Sequence, residues 1–345
     1  MSTSRQLTSA TGRRRVSPRP LSDPRNPSRG RGWGPLRYRA DLRTLAFMAF
    51  ITGLLIYNWQ QDAPQAWSVA LACLMGVSIS AMIHNHLHLS MWRARWLNVL
   101  TDYWLVVFTG STIFEWIPAH MRSHHTHHNR PGDYFTTFQA RDRNDLLGMA
   151  LFALGATLSH KGPVFRYLQE LWQTRRKHFM YCMTQVLVVV LSHAGLFYLS
   201  VEKTLYYFIL PHLATLASLL LIGYIQHVDA DEKDAFNHAR NFTGWGVNFF
   251  LMNNGLHTVH HHRAGLHWSD LPVAHAAIEG RIDPRLNEES MLWYLVRNYL
   301  LGLLHPRFRS VSLRRTKPGG GRPERSPSIR PLSPPSGAPQ AGLLS

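Results

Sequence analysis

The sequence predicts an all-α membrane protein, built from four transmembrane helices and a cytoplasmic helical cap that carries clustered histidines. Three observations lead there: four long apolar segments, an uneven placement of charge, and twelve of the 21 histidines gathered into three tight groups.

A bilayer span takes about 20 mostly apolar residues. Four segments qualify: Thr44 to about Trp59, Trp67 to about Ile83, Tyr181 to Leu199, and Leu205 to Ile225. None contains Lys, Arg, Asp or Glu, because charge is costly in hydrocarbon. The third and fourth also lack the polar face at 3.6-residue period that a helix of a soluble bundle shows. Interfacial Trp and Tyr extend the shorter segments. Two further apolar stretches, Trp96–Ile117 and Leu146–Leu158, are shorter or broken by Asp102 and Glu115. They are expected to be interfacial or partly inserted helices.

The averages alone, 45% hydrophobic and 17% charged, would suit a soluble protein. The net charge of +17 sits at the ends, however. Residues 1–43 hold eleven Arg against two Asp, and residues 306–345 hold eight Lys or Arg against one Glu. Both regions are rich in Pro, Gly, Ser and Arg, with runs such as Ser17-Pro18-Arg19-Pro20 and Pro331-Leu332-Ser333-Pro334-Pro335. With too little apolar content for a core, 1–43 and 306–345 are expected to be disordered tails flanking one folded domain at 44–305. With a membrane body between them, the tails favour anionic membrane lipids over nucleic acid, and no nucleic-acid partner is expected. Cys73 and Cys182 fall in apolar stretches and read as reduced thiols. No apolar run follows the Arg-rich start, so neither a secretory nor a twin-arginine signal is expected.

Loop charge sets the orientation. The loop Gln60–Gln65 has no Lys or Arg, and Lys203 in the loop between the third and fourth spans is offset by Glu202. Both tails and the 84–178 connection are basic. The positive-inside rule then makes both termini and every histidine group cytoplasmic.

The first group is His84-Asn85-His86-Leu87-His88. His84 and His88 are four apart, one helical turn on one face, so both imidazoles reach a common ion. The second runs from His120 to His128 and offers His-x-x-x-His-His at His120, His124 and His125. An overlapping register ends on His127 and His128. The third is His257-Thr258-Val259-His260-His261-His262, and His227 closes the fourth span. Imidazole suits iron, zinc, copper and nickel. One ion takes three or four protein ligands, so eight or nine histidines point to two ions close together. No Glu-x-x-His pair marks the long helices, against a soluble carboxylate-bridged bundle. His160, His178, His193, His212 and His305 read as ordinary polar residues, although His193 and His212 lie inside spans, where an ionisable group is a functional candidate. A non-enzymatic metal binder or transporter is the rival class, but a transporter places its ligands near the bilayer midplane, not at helix ends.

These residues resemble the three histidine boxes of the membrane fatty acid desaturase superfamily, which includes related hydroxylases and ketolases. Box one is His84-x-x-x-His88. Box two is His120-x-x-x-His124-His125 with the trailing Asn129-Arg130-Pro131-Gly132-Asp133, which favours the His124-His125 register. Box three is Asn253-Asn254-Gly255-Leu256-His257-x-x-His260-His261, followed by Gly265-Leu266-His267-Trp268-Ser269-Asp270-Leu271-Pro272, the most specific match and similar to bacterial fatty acid desaturase-like proteins. Gln226-His227-Val228 and Asn237-His238-Ala239-Arg240-Asn241-Phe242 fit the same group. The resemblance spans about residues 44–305. It implies a di-iron site of two Fe ions held by His84, His88, His120, His124, His125, His227, His257, His260 and His261, with His86 and His262 as hydrogen-bonding support for the ligands. It further implies dioxygen as co-substrate and desaturation of a fatty acyl chain, with hydroxylation or ketolation of an alkane, carotenoid or acyl chain as the alternative. No dinucleotide-binding glycine fingerprint follows a predicted strand, so electrons are expected from a separate ferredoxin-like or haem protein with its reductase.

Overall fold

The computed structural model describes residues 32–138 and 141–316; most of both basic tails therefore lies outside the described residues. Four helical runs are long and apolar enough to cross a bilayer: Arg39–Gln60, Ala66–His88, Arg176–Leu199 and Val201–His227. They coincide with the four expected spans. Within them we label α1 (Leu42–Gln60), α2 (Ala66–His88), α6 (Arg176–Leu199) and α7 (Leu210–His227). Between the two hairpins lie α3 (Arg95–Thr109), α4 (Leu146–Ser159) and α5 (Lys161–Thr174), and beyond α7 a short α8 (His257–His262). In lipid each backbone polar group must find an internal partner, which leaves helix as the only conformation open to isolated apolar segments.

Half of the most apolar window of α2 is buried, against 11% of that of α6. α2 is therefore the axis of the bundle, while α6 turns Leu187, Val190, Leu191, Tyr198 and Leu199 outward. So continuous an apolar face is incompatible with water and natural against acyl chains. α2 packs on α7 at Gly76, where a Cβ would lie 2.7 Å from Thr215 Oγ1; small residues permit such approaches between membrane helices. The two hairpins meet at one end of the bundle, where Lys203 Nζ donates to the Trp59 carbonyl at 2.7 Å. At the opposite end α2 delivers His84 and His88, and α7 delivers His227.

α3 stops at Gly110, whose φ of +66° is left-handed, and the chain turns through 90° into the helical run Ile113–His127. The expected interfacial stretch Trp96–Ile117 is thus a helix, a corner and the start of a second helix. Residues Ile117–His124 form a π-helix, a wide turn that recurs at functional sites. α4 matches the second expected stretch; the Asp145 carboxylate caps it by accepting from the Gly148 N–H at 2.8 Å.

The packed chain reaches beyond 44–305 at both ends. Leu36 and Tyr38 are buried, Leu36 bridges to Trp92, and Asp41 accepts from Trp268 Nε1 at 3.0 Å. At the other end the Leu313 N–H donates to the Asp229 carbonyl at 2.8 Å. The expectation of tails at 1–43 and 306–345 thus fails for 32–43 and 306–316. A few apolar residues cannot build a core of their own, yet they can fill grooves on one that exists already.

Candidate metal centre

The nine histidines expected as ligands come from four places in the chain and converge at one end of the bundle. The fold sorts them into two groups, His84, His88, His120, His125 and His260 in one, His124, His227, His257 and His261 in the other; in each, the candidate ligand atoms lie within 4.8 Å of one another.

Local helix geometry does the sorting. His84 and His88, one α-turn apart on α2, share the first group, and His257 and His261, one turn apart on α8, share the second with Nε2 atoms 3.0 Å apart. On the π-helical turn the pairing differs. His120 and His125, five apart, bring their Nε2 atoms to 3.2 Å, and His124 is swung away toward His227, 3.1 Å from it. His260 reaches back to His125 at 3.3 Å. His127 joins neither group, so the His124-His125 register is the one whose rings converge.

These short approaches can be tested for fit. His124 Nδ1 lies 2.7 Å from the Asp133 carboxylate, and His227 Nδ1 lies 3.3 Å from the His238 carbonyl. Both partners accept, so each Nδ1 carries the proton and each Nε2 presents a lone pair. Two lone pairs then face each other across 3.1 Å, with His257 and His261 Nε2 at 3.0 and 3.2 Å from His227. Hydrogen bonding cannot satisfy such a set. A cation bound to all four nitrogens does, and the residues present fit one. Burial, reinforced by the neighbouring imidazoles, holds His257, His260 and His261 well below the ordinary histidine value. They are neutral near pH 7, the form that ligates metal.

Around the rings sit carboxylates that the sequence reading did not single out. Asp133 is buried and accepts from His124 and from the Asn129 and Phe135 N–H groups, each at 2.8 Å for the two amides. Burial alone would raise its carboxyl; His124 and the two amides hold it below the usual carboxylate range. This acceptor fixes the His124 ring as outer partners of metal ligands do. The Pro131-Gly132 turn returning Asp133 beneath His124 was the available signal. His86 does not support a ligand imidazole as expected. Its Nε2 lies 3.2 Å from Asp102 Oδ1 without a hydrogen bond between them, and Asp102 accepts from Tyr181 at 2.6 Å, so this carboxylate links α3 to α6 beside α2. His262 likewise faces the rings of Phe236 and His238.

The Gly265–Pro272 stretch has a positioning role. Asp41 accepts from His267 Nε2 at 3.2 Å and from Trp268 Nε1 at 3.0 Å, Tyr38 stacks on His267 at 3.8 Å, and Asn253 Nδ2 donates to the Trp268 carbonyl. The strap beyond α8 is thereby fastened to the start of α1. Between strap and metal groups lies a cavity of about 10 Å³ whose wall includes His88, His260, Asn85 and Trp268, room for about one water molecule. His193 and His212 come together inside the bundle, ring centroids 5.3 Å apart, and are occupied with the Val189 and Val107 carbonyls.

No curated protein and no solved structure matches the chain. A family model described as Fatty acid desaturase matches residues 62–294, a range holding both histidine groups and three of the four spans, and the chain belongs to that family.

Proposed function

We propose that the chain is a membrane di-iron, dioxygen-dependent desaturase that introduces a double bond into a fatty acyl chain carried as a lipid or thioester. The observation that carries the reading is the pair of converging imidazole groups at one end of an apolar bundle, with lone pairs facing across about 3 Å. All-imidazole sets accommodate iron. His84, His88, His120, His125 and His260 would hold one ion, and His124, His227, His257 and His261 the other. Bound iron would supply the dioxygen-dependent oxidation that strips hydrogen from an unactivated methylene; the protein contributes position and dryness.

The chain's own residues do the rest. Asp133 holds the His124 ring in one tautomer and orientation. Asp102 lies 3.2 Å from His86, the residue between the two box-one ligands. The strap at Trp268 closes the wall beside His88 and His260 and limits water there. Loop charge supports a cytoplasmic centre, with electrons from a separate ferredoxin-like or haem protein and its reductase. Arg175, Arg176 and Lys177, exposed on the histidine side at the start of α6, suit an acidic donor.

The test is lipid profiling by mass spectrometry after expression in a host that lacks the product. Acyl chains short of two hydrogens support desaturation, and chains that gain one oxygen move the assignment to hydroxylation. An unchanged lipid profile with a competent donor present contradicts both.

A further inference from the structure

Three histidines outside the nine form a line from the surface to the metal groups. His262 is exposed at the end of α8. Its ring centroid lies 5.4 Å from that of His238, His238 stacks on His128 at 5.4 Å and 17°, and His128 meets His261 at 4.7 Å. His128, His125 and His261 could themselves hold an ion, their candidate ligand atoms lying within 4.8 Å of one another. This third position shares one histidine with each of the two main groups. The Nε2 atoms of His128 and His238 are both buried, with no hydrogen-bond partner among the described residues. Hydrogen bonding within the fold explains neither. His128 also holds a left-handed backbone, φ 48°, a strained conformation for a non-glycine residue that persists only where its surroundings impose it.

We propose that His262, His238 and His128 form a loading route for ferrous iron into the buried centre. The inference rests on the metal-centre reading above and adds a site and a role that the centre does not need once filled. An ion bonded about 2 Å from each nitrogen can pass between rings spaced like these by exchanging one imidazole for the next. At His128 it reaches a position already shared with His125 and His261, one from each group. Seven of the nine rings are buried, and exchange from ring to ring gives an ion a stepwise way to them. Ligand exchange along the route involves no change in oxidation state and releases no covalent bond.

The test uses the full chain in detergent, stripped of metal with a chelator and then mixed anaerobically with limiting ferrous iron. Iron retained after rapid desalting is measured against time. His238→Gln and His128→Gln should slow uptake severalfold, while final iron per chain stays at the wild-type level. His160→Gln, whose ring bonds the Ala156 carbonyl away from the line, should load at the wild-type rate and controls for a general effect of losing a histidine. Wild-type uptake rates in both line variants would overturn the route. So would lowered final iron at an unchanged rate, which would make His128 or His238 a permanent ligand. Failure of the unaltered chain to take up iron would instead overturn the metal-centre reading, so the two failures are distinguishable.

Discussion

Replacing Asp133 separates metal support from mere packing. Its carboxylate accepts from His124 Nδ1 at 2.7 Å and from the Asn129 and Phe135 amides at 2.8 Å, in a buried setting. Each buried donor left unpaired costs about 1–3 kcal/mol, so Asp133→Ala should lower stability by at least about 3 kcal/mol, a large share of a typical total of about 5–15 kcal/mol. Asp133→Asn is gentler: it keeps the shape and one acceptor, but turns an amide NH2 toward a donor and leaves His124 free to rotate. Loss of an outer partner of a ligating histidine typically weakens metal binding about 10–100-fold. The assay is iron retained by the purified chain against increasing chelator, with the melting midpoint recorded in parallel. Asp133→Asn should release iron at a chelator concentration at least about tenfold lower, while its melting midpoint falls less than that of Asp133→Ala. Iron retention equal to the parent in both variants would refute the claim that Asp133 holds a ligand.

Gly110→Ala forces a side chain into the left-handed corner between α3 and box two, and the new Cβ would run into the His212 ring. A destabilisation of about 1–3 kcal/mol from the backbone alone should appear as a lower melting midpoint, and a midpoint equal to the parent's would show that the corner does not need glycine. His275 gives the acid dependence. Burial holds its imidazole below the ordinary histidine value, Glu279 opposing, and neither ring nitrogen has a partner among the described residues. Since the folded pKa is below the unfolded one, the unfolded chain takes up the proton first as pH falls. The contribution is therefore complete above the ordinary imidazole range and is lost on descending through it toward the folded value. His275→Leu should flatten that part of the acid-side loss in melting midpoint, and an unchanged acid slope would count against it.

The spans were legible because lipid imposes a length and excludes charge, constraints that act residue by residue. Eight of the nine converging histidines stand out in the sequence because their spacings repeat, and His227 stands out only as the end of a span. Their division between two groups was not legible. An α-helix would pair His120 with His124, whereas the π-turn at Ile117–His124 pairs His120 with His125. Partners distant in sequence were equally hidden: Asp41 meets His267 across 226 residues, and no local pattern announces such a contact. Composition marked residues 32–43 as tail because it records how little apolar surface a segment has, not whether a groove at Trp92 awaits it. His128 was noticed as the end of a second register, while its neighbours His238 and His262 were brought to it only by the fold.

The central claim is two iron ions held by two imidazole groups, and metal content with Mössbauer spectroscopy on anaerobically purified protein tests it most directly. The account predicts close to two irons per chain, falling sharply in His125→Ala and His261→Ala, one from each group, and unchanged in His127→Ala. Near-stoichiometric zinc without iron, or iron lost with His127 and kept without His125, would contradict it.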